Sequence, residues 1–112
     1  MLKTENRIQQ EIIIFYRNSN LNTGNIIFSV PNDSKDLKEQ LRKKATGLMA
    51  GVSDLIVIHN GEVLFIECKD DKGRQSDKQK EFQLRVENQG FKYYLVRSLE
   101  EFKNIIYICK NK

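Results

Sequence analysis

The chain is poor in several things: one proline, two cysteines, one histidine and no tryptophan among 112 residues. It also has no long hydrophobic run. Nothing approaches the roughly 18–20 consecutive apolar residues that a membrane-spanning helix needs. The opening Met-Leu-Lys-Thr-Glu-Asn-Arg lacks the apolar core of a secretory signal. Cys68 and Cys109 lie far apart and match no zinc-ligand spacing, so both read as reduced, small apolar residues of a cytoplasmic protein. No repeat, low-complexity stretch or Pro/Gly/Ser linker divides the chain. Residues 1–112 are therefore expected to form a single domain, large enough for one core and too small for two. What is present suits a soluble globular protein, with 39% apolar and 30% charged residues. A net charge of +4 is permissive for nucleic acid without being diagnostic of it.

Periodicity organises the rest. Residues 4–18 read as an amphipathic helix with Thr4 as N-cap and Ile8, Ile12, Phe15 and Tyr16 on its apolar stripe. Glu5 falls inside that stripe and Gln9 at its edge, an unusual place for a carboxylate. Ile26 to Val30 is a short strand ended by Pro31. Asp33 or Ser34 can cap a helix with Leu37, Leu41, Ala45 and Leu48 on one face and Lys35, Lys38, Arg42, Lys43 and Lys44 on the other. Ser76-Asp-Lys-Gln79 matches a capping box and opens a helix bearing Phe82 and Val86, stopped at Gly90. Residues 91–96 form a strand, and Ser98-Leu-Glu-Glu101 opens a terminal helix ending around 105–109. The order α, β, α, β, β, α, β, α predicts an α/β fold, a mixed sheet flanked by helices. The strand at 91–96 follows a helical crossover from 63–69, so those two are expected to be parallel.

The chemistry concentrates in Gly51 to Lys69. Two β-prone runs flank Asn60-Gly61, a strong two-residue hairpin signal, because a type I′ turn needs φ > 0 at both central residues. With that loop His59 pairs with Glu62, and Asp54 falls opposite Glu67, with Cβ atoms about 4.5–5.5 Å apart. His59 itself reads as a solvated turn residue at the hairpin tip. Facing carboxylates repel and call for a cation. Lys69, two residues past Glu67, shares its face. Two carboxylates and an ammonium on one patch look like a metal-dependent hydrolytic site.

These residues are similar to a known pattern. Glu5 with Gln9 on the first helix, Gly51-x-x-Asp54, Glu67-x-Lys69, Ser76-x-x-Gln79 and Gly90 before the next strand come in the order found in the VRR-NUC (virus-type replication-repair nuclease) domain. That domain is a branch of the PD-(D/E)xK superfamily, and the resemblance covers essentially the whole chain. One residue departs: Ser53 stands where the family has proline. The resemblance implies a restriction-endonuclease-like fold and a stand-alone phage or bacterial member, in the cytoplasm of a bacterium or phage-infected cell. It implies a DNA endonuclease dependent on Mg²⁺ or Mn²⁺, selective for four-way or branched junctions, acting as a homodimer without membrane attachment.

In that frame Asp54 and Glu67 are metal ligands, and the resemblance adds the backbone carbonyl of Cys68. Lys69 orients the attacking water, Glu5 is an extra carboxylate, and Gln79 holds Lys69, a water or the phosphate. Lys72, Arg74, Lys78 and Lys80, with Lys43 and Lys44, are candidate DNA contacts. Plainer readings stand beside these: Glu5 as a helix N-terminal acid favoured by the dipole, Gln79 as a capping residue, and the basic residues as a solvated face. Two other functions remain open: a non-catalytic DNA-binding or assembly protein on the same fold, and a single-strand or RNA-directed nuclease.

Overall fold

The computed structural model describes residues 3–31 and 37–109. Helix α1 (Glu5–Asn18) begins after Thr4, whose hydroxyl accepts from the Arg7 amide at 3.2 Å, and buries Ile8, Ile12 and Tyr16 at a spacing of four. After a short 3₁₀ turn come β1 (Ile26–Ser29), α2 (Leu37–Ala45), β2 (Leu55–His59), β3 (Glu62–Cys68), α3 (Asp77–Asn88), β4 (Lys92–Val96) and α4 (Leu99–Cys109). The order is the one the sequence predicts. The proposed caps Asp33 and Ser34, Lys35, and the Cys109 side chain fall outside what is described. Among the described residues no helix is long and apolar enough to cross a membrane.

The sheet runs β1-β2-β3-β4, antiparallel except for the parallel β3/β4 pair across the α3 crossover. Asn60 and Gly61 take φ of 50° and 84°, as a type I′ turn demands, and His59 pairs with Glu62. Alternation along the strands divides the side chains between two faces. One face carries Ile27, Leu55, Val57, Leu64, Ile66, Cys68 and Val96 and packs on Ile8, Ile12 and Tyr16 of α1 and Phe102 and Ile106 of α4. The other carries Phe65 and Tyr93, met edge-on by Phe82 of α3 at 5.7 and 6.3 Å. The sheet is thus flanked by helices on both sides, and both ladders lead toward Asp54, Glu67 and Lys69.

Two expectations are corrected. His59 is fully buried rather than solvated. It is the last residue of β2, in phase with Leu55 and Val57, so its ring enters the core, where Nδ1 lies 2.8 Å from the Tyr16 hydroxyl. The expected apolar stripe of α2 is not buried at Leu41 and Ala45 either, while Leu48 is half-buried and the Leu37 side chain lies outside what is described. Leu41 is 58% exposed, because α2 shares little contact with the sheet or the other helices.

Candidate active site

The β2/β3 register pairs Leu55 with Ile66 and, one step further, brings Asp54 across from Glu67. Asp54 is not a free turn residue: its Oδ2 accepts the Cys68 amide at 2.8 Å. Glu67 is only 1% exposed. Burial pushes its carboxyl up to about 8, helped by the charge and hydrogen-bonding reach of Asp54 and by the charge of Glu5, and opposed by Lys69. Lys69 is also buried, with Nζ 3.7 Å from Glu67 Oε2, and its amide donates to Val96 O at 3.0 Å, extending the β4 pairing beyond the strand. This is a charge cluster inside the fold, where Coulombic effects are strong because water is excluded. Cys68 sits between them with its side chain on the opposite face, and burial keeps its thiol protonated.

Gln79 is the capping residue expected, and its amide reaches Glu67 rather than the Lys69, water or phosphate anticipated for it. As the third residue of α3 it closes the capping box, its Oε1 accepting the Ser76 amide at 2.9 Å. Its Nε2 donates to Glu67 Oε2 at 3.0 Å. The cap therefore fixes the amide that holds the carboxylate. Gly51 brings the two segments together: its φ is +84°, and a Cβ there would run into the Lys78 carbonyl and lie 2.9 Å from the Gln79 nitrogen. Only glycine lets the loop before Asp54 rest on the first turn of α3.

Glu5 arrives from the first turn of α1. Its Oε2 is 3.3 Å from where a Gly73 Cβ would stand, and Lys69 Cδ is equally close to that point. Asp70 shapes this loop by accepting the Lys72 and Gly73 amides, and Arg97 pins the Asp70 carbonyl. The structure thus brings Glu5, Asp54, Glu67, Lys69 and Gln79 together from α1, the loop before β2, β3, the loop after it and α3.

The VRR-NUC domain family profile matches residues 2–100. This chain belongs to the VRR-NUC family. Two solved structures titled as VRR_NUC domain proteins share the fold. One is 20% identical with a TM-score of 0.74, covering 98% of this chain and 88% of its own. The other is 19% identical with a TM-score of 0.64, covering 94% and 97%. No curated protein matches. The family assignment makes the fold a nuclease-type fold.

On this VRR-NUC scaffold the candidate DNA contacts divide into two groups. Lys72 and Arg74 are exposed on the loop that leaves Lys69, and Lys78 and Lys80 are exposed on the first turn of α3. Lys44 is exposed on α2, and Lys43 is paired with Glu39 at 2.9 Å. Lys78 is itself 3.8 Å from Glu81, but the first group lies on the loop and helix turn that carry Lys69 and Gln79, whereas the α2 pair stands on another element. Sequence reasoning missed Arg97 and Tyr93. The Asp70-x-x-Gly73 spacing, typical of a side-chain-capped turn, is the one local signal that marks the Asp70 loop as fixed.

Proposed function

We propose that this chain is a metal-dependent DNA endonuclease. The observation that carries the reading is Glu67: a buried carboxylate facing Asp54, with Oε1 left without a hydrogen-bond partner. Burying such an atom is costly unless something completes it. A hard cation suits the oxygen donors Asp54 and Glu67, with the Cys68 carbonyl as a third. Among the described residues no three His, Cys, Asp or Glu side chains are grouped so as to hold a metal ion. Mg²⁺ and Mn²⁺ keep several waters and take few protein ligands, so the donors proposed are two carboxylates and one carbonyl. Bound there, the ion supplies Lewis-acid charge stabilisation and a more acidic water.

The protein's own groups do the rest. Lys69, held in the low-dielectric cluster, orients the attacking water and faces the charge that develops on the scissile phosphate. Gln79 keeps Glu67 in place, and Glu5 offers an outer carboxylate for a water or second ion. Lys72, Arg74, Lys78 and Lys80 hold phosphates near the site. The reading extends to branched DNA cut by a homodimer, since a two-fold pair presents two sites to a symmetric junction. Exposed Ile26, Phe28 and Ile58, adjacent on one sheet face at the β1 edge, support a second copy covering them.

The test is cleavage of flaps, forks, four-way junctions and duplexes with Mg²⁺ or Mn²⁺ by wild type, Asp54→Asn and Lys69→Met. Asparagine keeps an acceptor for the Cys68 amide, so the fold should persist while cleavage falls to background. Near-wild-type cleavage by either variant refutes its assigned role. A wild type inert on every substrate leaves a DNA-binding or assembly protein or an RNA-directed nuclease.

A further inference from the structure

Tyr93 is a buried hydroxyl-bearing ring on β4, 6% exposed. The β3/β4 register pairs Phe65 with Tyr93 and Glu67 with Leu95, so Tyr93 and Glu67 project from the same face, two positions apart. Phe82 clamps the ring edge-on at 6.3 Å. From the loop after Lys69, Gln75 Nε2 donates to the Tyr93 hydroxyl at 3.2 Å and to Gln83 Oε1 at 2.8 Å. A phenol oxygen that accepts such a bond still has its proton to give. The acceptor on the same face is Glu67, two positions along β3 from Phe65, the residue that pairs with Tyr93. Among the described residues neither Glu67 oxygen makes a full hydrogen bond to the hydroxyl: Oε2 takes the Gln79 amide and Oε1 has no partner. Phenylalanine would fill the same apolar space, so packing alone does not account for the hydroxyl.

We infer that Tyr93 is a positioning residue for Glu67, its hydroxyl held by Gln75 and donating to the carboxylate in the orientation that binds a divalent cation. Glu67 is then steadied from two sides, by Gln79 on α3 and Tyr93 on β4. Both donors are neutral, so they orient the carboxylate without competing with the cation for its charge. Outer hydrogen-bond partners of metal ligands typically govern affinity in this way. The inference rests on the nuclease reading above.

The experiment measures Mn²⁺ affinity by calorimetry without DNA, thermal unfolding in chelator, and cleavage across a Mn²⁺ series. Tyr93→Phe should stay folded and bind Mn²⁺ about tenfold more weakly or worse. Its KM for DNA should not change, and cleavage lost at low Mn²⁺ should return at high Mn²⁺. Gln75→Leu, at a half-buried position, should show a smaller loss in the same direction, and the double variant should be no worse than Tyr93→Phe. A merely structural role would lower Tm without weakening Mn²⁺ binding, and that outcome overturns the inference. Wild-type Mn²⁺ affinity in both single variants overturns it while leaving the nuclease reading intact. A wild type that neither binds Mn²⁺ nor cleaves overturns both.

Discussion

Replacing Glu67 by glutamine should stabilise the protein above neutral pH when divalent metal is chelated. The wild-type carboxyl is pushed up to about 8 from an ordinary 4.5, first by burial and then by the Asp54 charge. Between those two values the folded chain holds a proton that the unfolded chain has released. Stability therefore falls as pH rises from about 4.5 and levels off above about 8. The gap of about 3.5 units corresponds to about 5 kcal/mol at 1.36 kcal/mol per unit. That is an upper bound, because a buried charge draws in water and relaxes its surroundings. Half of it still moves Tm by about 10 °C, at about 4 °C per kcal/mol for a domain of this size. Glutamine is neutral throughout, close in shape, and keeps a carbonyl for the Gln79 amide. Thermal unfolding by circular dichroism in EDTA at pH 5, 7 and 9 is the assay. The two proteins should melt together near pH 5 and separate progressively, with Glu67→Gln the more stable at pH 9. Parallel pH profiles would refute the claim that ionising the buried Glu67 carboxyl beside Asp54 destabilises the fold. Millimolar Mn²⁺ should then raise the wild-type Tm, by mass action on the folded state, and leave the variant nearly unmoved.

Gly51→Ala should cost about 2–4 kcal/mol in urea denaturation, since it combines a positive φ with backbone overlap at Lys78; a neutral result would mean the loop does not rest on α3. Tyr16→Phe should cost about 1–3 kcal/mol by leaving buried His59 without its partner. Burial lowers the His59 pKa, so stability should fall as pH drops below 6.5, where the unfolded imidazole takes a proton that the folded one refuses. The Glu67→Gln background removes the opposing Glu67 contribution, and a flat acid limb there would contradict the burial. Neutralising Lys72, Arg74, Lys78 and Lys80 together should reduce the salt dependence of DNA binding by up to about one unit of slope per contact, on every sequence alike; an unchanged slope in fluorescence anisotropy would remove them from the interface.

Much of the site was legible because it is built from short-range chemistry. Asn60-Gly61 dictates a two-residue turn by backbone conformation alone, and that turn sets which residue faces which, so Asp54 opposite Glu67 follows before any packing is known. Strand alternation then puts Lys69 on the same face, and the Ser76-x-x-Gln79 capping box marks where α3 begins. The parallel β3/β4 pair follows from a single crossover helix. What neighbours in sequence do not encode is which surfaces meet. His59 looks like a turn residue until Tyr16, 43 positions earlier, comes down on it from α1. The dual role of Gln79 depends on Gly51 allowing α3 to approach Asp54, and α2 has the periodicity of a packed helix although its Leu41 stays exposed. Tyr93 reads as an ordinary core aromatic, and its place beside Glu67 exists only because β4 docks in register with β3. Local backbone preference is written residue by residue, whereas the environment of a buried polar atom is set by every element that closes over it. The tertiary structure alone buried the Glu67 carboxyl between the Gln79 amide and the Lys69 ammonium.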